Sequence, residues 1–178
     1  MNEPNSPLGS RCLVVLVGPP GSGKSTWAQR NGRGVVHVSQ DGLIDAITPD
    51  GFDHAYRQIY HAAEDAVALA ALAAKRTVIV DRTNRTREHR KRWLEIAEQT
   101  KSPAVAVVMP AAAPLCRWRN SLREGPRRLS DARMERMLAC FEPVCPEEGF
   151  TAIFDGESAT LAEILAQLCN RRHNEHCY

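Results

Sequence analysis

The chain has 178 residues, of which 43% are hydrophobic and 25% are charged, and its formal net charge is +2. These proportions are ordinary for a soluble globular protein and exclude a chain too polar to form a core. No apolar stretch is long enough to span a bilayer, and the first ten residues do not resemble a secretion signal. We therefore expect a flexible leader over residues 1–10, one domain over residues 11–178, no membrane association and a cytoplasmic location.

Short apolar segments rich in β-branched residues alternate with segments of helical periodicity. The predicted strands are 12–17, 35–38, 77–80, 104–108 and 151–154, and the predicted helices are 25–30, 43–47, 54–75, 87–99, 114–123, 130–141 and 160–171. This alternation predicts an α/β fold with a parallel sheet of about five strands and helices on both faces. In the longest helix, apolar residues recur at helical spacing and predict the buried stripe, namely Ile59, Ala63, Val67 and Ala70.

A glycine-rich segment, GPPGSGKST at residues 18–26, directly follows the first predicted strand. It matches G-x-x-x-x-G-K-S/T, the pattern of a loop whose backbone N–H groups surround phosphates. Lys24 would reach the β- and γ-phosphates, and the hydroxyl of Ser25 would bind Mg²⁺. We therefore predict that ATP and Mg²⁺ are bound, with nucleotide contacts from Gly18, Gly21, Ser22, Gly23, Lys24, Ser25 and Thr26. The alternative is an ordinary glycine-rich turn.

Acidic residues follow two of the predicted strands, and in a parallel sheet the ligand lies beyond these strand ends. Asp41 follows the second strand, and a kinase needs a carboxylate that accepts the proton of the attacking hydroxyl. Asp41 is therefore the candidate general base, although it could also be a helix N-cap. Asp81 ends the third strand and could orient the acceptor or act through water on Mg²⁺.

An arginine-rich segment surrounds Gly125-Pro126 and contains Arg117, Arg119, Arg123, Arg127 and Arg128. Two helices joined by a basic elbow predict a lid that closes over phosphates. This lid would consist of residues from about 117 to 136. Arginine there can neutralise charge on the transferred phosphoryl group. Arg119 and Arg123 are four residues apart, so we expect them on one helix face. The alternative is a solvated basic face paired with Glu124, Asp131 and Glu135.

Basic residues are also concentrated after Asp81, at Arg82, Arg85, Arg87, Arg90, Lys91 and Arg92. Because the net charge is small, this charge is local, and it favours a polyanionic acceptor such as DNA or RNA. Trp93, Tyr56 or Tyr60 could stack a base, although aromatic residues at helical spacing are more often part of the core.

Six cysteines raise the question of metal binding. We expect Cys12 and Cys116 to be buried and no disulfides to form. Cys169, His173, His176 and Cys177 near the end, with Cys140 and Cys145 upstream, could bind zinc. Their spacing is not one of the common ligand patterns, and a polar helix end is the preferred interpretation.

Four features together resemble the polynucleotide 5′-hydroxyl kinases of phage and bacterial nucleic-acid repair. They are GPPGSGKSTWA, Asp41, VIVDRTNRTREHRKRW and RNSLR, and the resemblance covers residues from about 14 to 137. The resemblance implies that Lys24 and Ser25 hold ATP and magnesium, that Asp41 is the base, and that Arg119 and Arg123 engage phosphates. It also implies that Asp81 helps to position the acceptor. Its neighbours Arg82, Thr83, Asn84 and Arg85 complete the expected acceptor site.

The chain departs from that family at one position. These kinases commonly have an arginine three residues after the catalytic aspartate, where it grips the phosphate next to the 5′ end, and here that residue is Ile44. Another arginine such as Arg82 or Arg85 could replace it, or the acceptor could be a hydroxymethyl pyrimidine base in phage DNA. A sugar-acid or nucleoside kinase and a regulatory ATPase are further alternatives. The chain lacks the Asp-x-Asp-Gly-Thr phosphatase motif, so we expect kinase activity alone.

Overall fold

The computed structural model describes residues 11–110 and 112–175. The expected leader over residues 1–10 and the tail residues His176 and Cys177 lie outside these ranges. The strands are β1 (Leu13–Val17), β2 (Val36–Ser39), β3 (Val78–Asp81), β4 (Ala104–Val108) and β5 (Ala152–Asp155). The α-helices are α1 (Lys24–Asn31), α2 (Gln40–Ile47), α3 (Arg57–Ala73), α4 (Arg87–Gln99), α5 (Ala113–Ser121), α6 (Asp131–Ala139) and α7 (Leu161–Glu175).

The five strands form one parallel sheet in the order β2-β3-β1-β4-β5, which confirms the predicted α/β architecture. Because β1 lies at the centre with β3 and β4 beside it, the loop after β1 and the segment after β3 leave the same edge of the sheet. The chain passes from β1 to the outer strand β2 and then returns to β3, which lies between them. Residues far apart in sequence therefore meet at that edge.

Alternate residues of β1 supply two apolar cores, one on each face of the sheet. Leu13 and Val15 pack with the face covered by α3 and α4, and Val14 and Leu16 pack with the face covered by α1 and α7. All five residues of β1 are buried, whereas the outer strands β2 and β5 are partly exposed. Cys12 and Cys116 are buried, as predicted.

The buried stripe predicted for the longest helix is wrong. Ile59 and Val67 are 50% and 38% exposed, and α3 instead buries the side of Tyr60, Glu64, Ala68, Ala71 and Leu72. The prediction failed because the buried side contains a glutamate, and a buried charge interrupts the apolar pattern from which a stripe is identified. The start of this helix also differs, since residues 54–56 form a short 3-10 turn before α3.

Helix α2 begins at Gln40, three residues earlier than predicted, because the Ser39 side chain caps it by accepting from the N–H of Gly42 at 3.3 Å. The N-cap alternative for Asp41 is therefore wrong, since Asp41 lies inside the first turn. Helix α5 ends at Ser121, so Arg119 is helical while Arg123 lies in the turn that follows. In the part of the chain that the structure describes, no helix combines the length and apolarity needed to cross a bilayer.

Candidate functional site

The glycine-rich loop joins the end of β1 to the start of α1, and two of its glycines are required by its shape. Gly21 and Gly23 have φ angles of 81° and 102°, a region that favours glycine. A Cβ on Gly21 would also lie 2.8 Å from the backbone oxygen of Cys116 in α5. The Gly18 N–H donates to the Thr83 carbonyl at 3.1 Å, so the loop is tied to the segment after β3.

Lys24 is the buried cation of this loop. Its Nζ donates to the carbonyls of Gly18 at 2.9 Å and Pro19 at 2.8 Å. Burial lowers the pKa of Lys24 to about 8, the negative charge of Asp81 opposes that shift, and Arg123 and Asp41 act in opposite directions. The structure thus brings Lys24, Asp41, Asp81 and Arg123 into one electrostatic environment. The next two residues of α1, Ser25 and Thr26, are exposed.

Two carboxylates lie beside the loop at the carboxyl edge of the sheet. Ser39 of β2 pairs with Asp81 of β3 in the strand register, and Asp41 comes two residues after Ser39, in the first turn of α2. Asp81 is buried and Asp41 is exposed. The Nε2 of His37 lies 3.4 Å from Oδ2 of Asp81, a contact that the sequence analysis missed. The only sequence signal for it was a histidine inside an apolar strand.

The segment after β3 divides its residues between the site and the core. Asn84 is 2% exposed, and its side chain donates to the Leu16 carbonyl at 2.8 Å and accepts from Nε1 of Trp93 at 2.9 Å. Because both ends of its amide bind inside the protein, the expectation that Asn84 contacts the acceptor is wrong, and it fixes the segment instead. Arg82, Thr83 and Arg85 are partly exposed.

Two of the aromatic residues considered for base stacking are buried and cannot perform it. Trp93 and Tyr60 are at most 1% exposed, which leaves Tyr56 accessible. Trp93 belongs to the core beside α3, and the hydroxyl of Tyr60 contacts the hydroxyl of Thr48. The core interpretation of these two residues is thus confirmed.

Three members of the basic cluster after Asp81, namely Arg82, Arg90 and Arg92, pair with acidic residues distant in sequence. Arg90 is fully buried and binds the carboxylate of Glu148 at 2.6 and 2.7 Å. Glu64 of α3 is also fully buried, and its Oε2 accepts from Arg82 at 2.7 Å and from Arg92 at 3.1 Å. Arg90 is therefore held inside the fold, whereas the side chains of Arg82 and Arg92 stay partly exposed, at 17% and 22%.

The predicted lid consists of α5, a 3-10 turn at residues 125–127 and α6. The buried side chain of Asn120 donates to the Leu129 carbonyl at 2.8 Å and accepts from the Leu129 N–H at 3.1 Å, which fixes the elbow. Arg119 Nη1 donates to the Gly21 carbonyl at 3.0 Å, so α5 contacts the glycine-rich loop.

Two other lid arginines form ion pairs. Arg117 pairs with Glu135 at 2.6 Å, which the basic-face alternative anticipated for that residue. Arg127 pairs with Asp45 of α2 at 2.5 Å, and this contact joins the lid to the helix that carries Asp41. The lid therefore contacts both the glycine-rich loop and α2.

No group of three or more His, Cys, Asp or Glu side chains could hold a metal ion within residues 11–110 and 112–175. The possible zinc site in the tail includes His176 and Cys177, which lie outside those ranges. The oxygen atoms beside the loop, from the hydroxyl of Ser25 and the carboxylate of Asp81, are of the kind that Mg²⁺ prefers, since this ion combines a few protein oxygens with phosphate and water.

Comparison with known proteins identifies the family to which the chain belongs and proteins that share its fold. A family model described as AAA domain matches residues 13–144. The bifunctional polynucleotide phosphatase/kinase of Schizosaccharomyces pombe is 28% identical over 146 residues, which cover 79% of this chain and 32% of that protein. The chain thus spans about a third of the length of this curated relative, and the likeness confirms the resemblance to polynucleotide kinases.

Solved structures share the fold at low sequence identity. A chain of the Pnkp1/Rnl/Hen1 RNA repair complex matches with a TM-score of 0.62 and 20% identity, over 78% of this chain and 46% of that chain. A gluconokinase from Sinorhizobium meliloti 1021 matches with a TM-score of 0.57 and 19% identity, over 94% of this chain and 98% of that one. The fold is therefore shared by a chain of an RNA repair complex and by a gluconokinase.

Proposed function

Because the chain belongs to the AAA domain family and is a P-loop phosphotransferase, we propose that it transfers the γ-phosphate of ATP to a hydroxyl group of a nucleic acid, and that this hydroxyl is at a 5′ end. The name of the curated relative supports a polynucleotide acceptor. The observation that carries the proposal is the pairing of Ser39 in β2 with Asp81 in β3. Because Asp41 follows Ser39 by two residues, this register brings the carboxylates of Asp41 and Asp81 to the edge where the glycine-rich loop begins.

The donor side is formed by the loop and the lid. The backbone N–H groups of the loop would surround the phosphates of ATP, and Lys24 would exchange its carbonyl acceptors for β- and γ-phosphate oxygens. Arg119, already in contact with Gly21, would hold these phosphates from the lid. Magnesium, held by the hydroxyl of Ser25 and by Asp81 through water, would neutralise phosphate charge.

The acceptor side is formed by the carboxylates and Arg123. Asp41 is exposed in the first turn of α2, and its carboxylate would accept the proton of the attacking hydroxyl. The hydroxyl oxygen then bonds to the γ-phosphorus while the bond to the bridging oxygen of the β-phosphate breaks, which releases ADP. Arg123, whose charge reaches Lys24, would stabilise the negative charge on the phosphoryl group in transfer.

Arg82 is the residue that we propose in place of the missing arginine clamp. Ile44 is buried in α2, so that helix position faces the core. Arg82 directly follows Asp81, and the buried carboxylate of Glu64 holds its guanidinium. A fixed guanidinium next to the acceptor can bind a phosphate oxygen pair with little loss of side-chain entropy.

The test is transfer from γ-labelled ATP with Mg²⁺ to three acceptors: a 5′-hydroxyl oligonucleotide, an end-blocked duplex with an internal hydroxymethyl pyrimidine, and gluconate. We expect label on the 5′ end. Asp41→Asn should lower that transfer by about 10²- to 10⁴-fold, the range for loss of a general base, while ATP binding is retained. Asp50→Asn is the matched control, since Asp50 is an exposed aspartate in the loop after α2.

Each other result would replace the proposal with a definite alternative. Label only on the end-blocked duplex would identify a base-directed kinase, and label only on gluconate would identify a sugar-acid kinase. ATP hydrolysis that none of the three acceptors alters would favour a regulatory ATPase. Normal transfer by Asp41→Asn would exclude Asp41 as the base.

A further inference from the structure

Helix α2 has a second exposed carboxylate one turn after the proposed general base. Asp41 and Asp45 are four residues apart in the helix and both are exposed, so they lie on one face of it. Asp41 would take the proton of the acceptor hydroxyl, whereas the proposed reaction gives no part to Asp45. Two carboxylates on one face repel an anionic acceptor more strongly than one does, so the charge of Asp45 matters for binding.

The partner of Asp45 comes from the lid. Arg127 lies in the 3-10 turn of the elbow, and its Nη2 donates to Oδ2 of Asp45 at 2.5 Å, although the two residues are 82 positions apart in the sequence. The two side chains are 64% and 55% exposed, so water can replace either partner and the ion pair can open at little cost. The pair therefore depends on the position of the lid.

The turn that carries Arg127 is joined to the donor side of the site. Asn120 of α5 binds both backbone polar groups of Leu129, which is two residues after Arg127. In the same helix, Arg119 donates to the Gly21 carbonyl of the glycine-rich loop at 3.0 Å. A change in the position of α5 against that loop is therefore transmitted to Arg127.

Helix α2 is anchored at both ends to parts of the domain outside the lid. At its start, the Ser39 hydroxyl at the end of β2 accepts from the N–H of Gly42 at 3.3 Å. Just after its end, the hydroxyl of Thr48 contacts the hydroxyl of Tyr60, which is buried in α3. Movement of the lid away from α2 would therefore break the ion pair at Asp45 and would leave the helix in place.

We propose that Arg127 and Asp45 are a positioning pair that couples closure of the lid over ATP to binding of an anionic acceptor beside Asp41. ATP holds Arg119 and with it the lid, so Arg127 stays on Asp45 and neutralises its carboxylate. With the lid open, Asp45 is unpaired and repels the acceptor. This inference rests on the proposed function, because it assigns the lid to the donor and α2 to the acceptor. Each ligand should strengthen binding of the other by the same factor.

Acceptor binding with and without a donor analogue measures the coupling. The unmodified protein should bind a 5′-hydroxyl tetranucleotide more tightly when a non-hydrolysable ATP analogue and Mg²⁺ are present. Arg127→Gln and Asp45→Asn should each reduce the ratio of the two Kd values roughly two- to fivefold, the range for an exposed ion pair. Arg117→Gln is the matched control, because it breaks another exposed ion pair of the lid, with Glu135 in α6.

The two variants should lose the coupling in opposite ways, which a merely structural role of the pair would not produce. Asp45→Asn removes the charge that is unpaired when the lid is open, so the tetranucleotide should bind more tightly without the analogue. Arg127→Gln leaves that charge unpaired, so the tetranucleotide should bind more weakly with the analogue. The proposal is overturned if both variants keep the ratio of the unmodified protein, or if Arg117→Gln lowers it equally.

Amide hydrogen exchange needs no acceptor and separates this inference from the proposed function. The analogue should slow exchange in α2, residues 40–47, roughly two- to fivefold in the unmodified protein and should not slow it in Arg127→Gln. Slower exchange with the analogue, without transfer to any acceptor, would refute the proposed function and retain the link between the lid and α2. Transfer to the tetranucleotide, with exchange in α2 that the analogue leaves unchanged, would retain the function and refute the link.

Discussion

Lys24 shows how burial sets the chemistry of a single side chain. Its ammonium group is held by backbone carbonyls inside the glycine-rich loop, and desolvation lowers its pKa to about 8. Asp81 opposes this shift, so the amine is mostly protonated at neutral pH. An ordinary exposed lysine would titrate more than two pH units higher, which makes the phosphate contact of Lys24 unusually sensitive to mild alkali.

The first prediction concerns this pH dependence. Protonated Lys24 binds phosphate and neutral Lys24 does not. The affinity for ATP should therefore be constant below about pH 8 and fall above it. A single proton predicts a decrease of about tenfold per pH unit. The measurement is the Kd of ATP with Mg²⁺ over a pH series at constant ionic strength.

The control for Lys24 is Lys24→Arg, whose guanidinium stays protonated throughout that range. The variant should bind ATP more weakly if the loop does not fit the larger group, and its Kd should not vary between neutral and alkaline pH. An unmodified protein whose Kd is constant through pH of about 9.5 would contradict the assignment of a lowered pKa to the phosphate-binding amine.

At the scale of the element, the lid depends on one buried amide. Asn120 binds both backbone polar groups of Leu129, and only a side chain with a donor and an acceptor can do this. The neighbouring pair of Arg117 with Glu135 is exposed, and exposed ion pairs contribute little to stability. The elbow is therefore held by Asn120 more than by the charges around it.

We expect Asn120→Ala to loosen residues 122–130 without unfolding the domain. Their amide hydrogen exchange should quicken about 5- to 30-fold, which corresponds to about 1–2 kcal/mol for two lost hydrogen bonds. The KM for ATP should rise at the same time, because Arg119 approaches Gly21 from α5. Arg117→Ala is the matched comparison, and equal exchange rates in the two variants would refute the role of Asn120.

The elements were predictable because they depend on local patterns. All five strands and the glycine-rich loop follow from runs of apolar residues and from a motif, and the order of α and β segments fixed the parallel sheet. The stripe of α3 was not predictable in the same way. Its buried face contains Glu64, whose partners Arg82 and Arg92 lie 18 and 28 residues away, and only the folded chain brings them together.

The candidate site divides in the same manner. Asp41, Asp81 and Lys24 were identified because strand ends and the loop motif assign their positions from sequence. Arg90 looked like a contact for nucleic acid, yet it binds Glu148, which is 58 residues distant. The sequence does not show whether a basic residue faces solvent or binds a buried carboxylate. The tertiary structure was therefore needed to show which arginines are accessible to a nucleic acid.

At the scale of the whole molecule, charge is unevenly distributed. The net charge is only +2, but Arg82 and Arg85 lie in the segment that leaves β3 at the carboxyl edge, where the Thr83 carbonyl accepts from the N–H of Gly18 in the glycine-rich loop. A field of this kind attracts a polyanion to one edge without making the protein bind nucleic acid over its entire surface. The dependence of acceptor binding on salt should therefore report the phosphate contacts made at that edge.

Binding of a 5′-hydroxyl tetranucleotide to Asp41→Asn should weaken as salt increases. Each phosphate contact with a single strand contributes a slope of about −0.7 to log K against log salt, so one phosphodiester bound at Arg82 predicts a contribution of about −0.7. Arg82→Gln should remove that contribution, whereas Arg33→Gln, at an exposed arginine just beyond the C-terminal end of α1, should not alter the slope. A slope near zero would mean that the strand makes no phosphate contacts at this edge. A slope of about −0.7 that Arg82→Gln leaves unchanged would place the phosphate contact elsewhere, because the slope counts the phosphates bound regardless of the bases beside them.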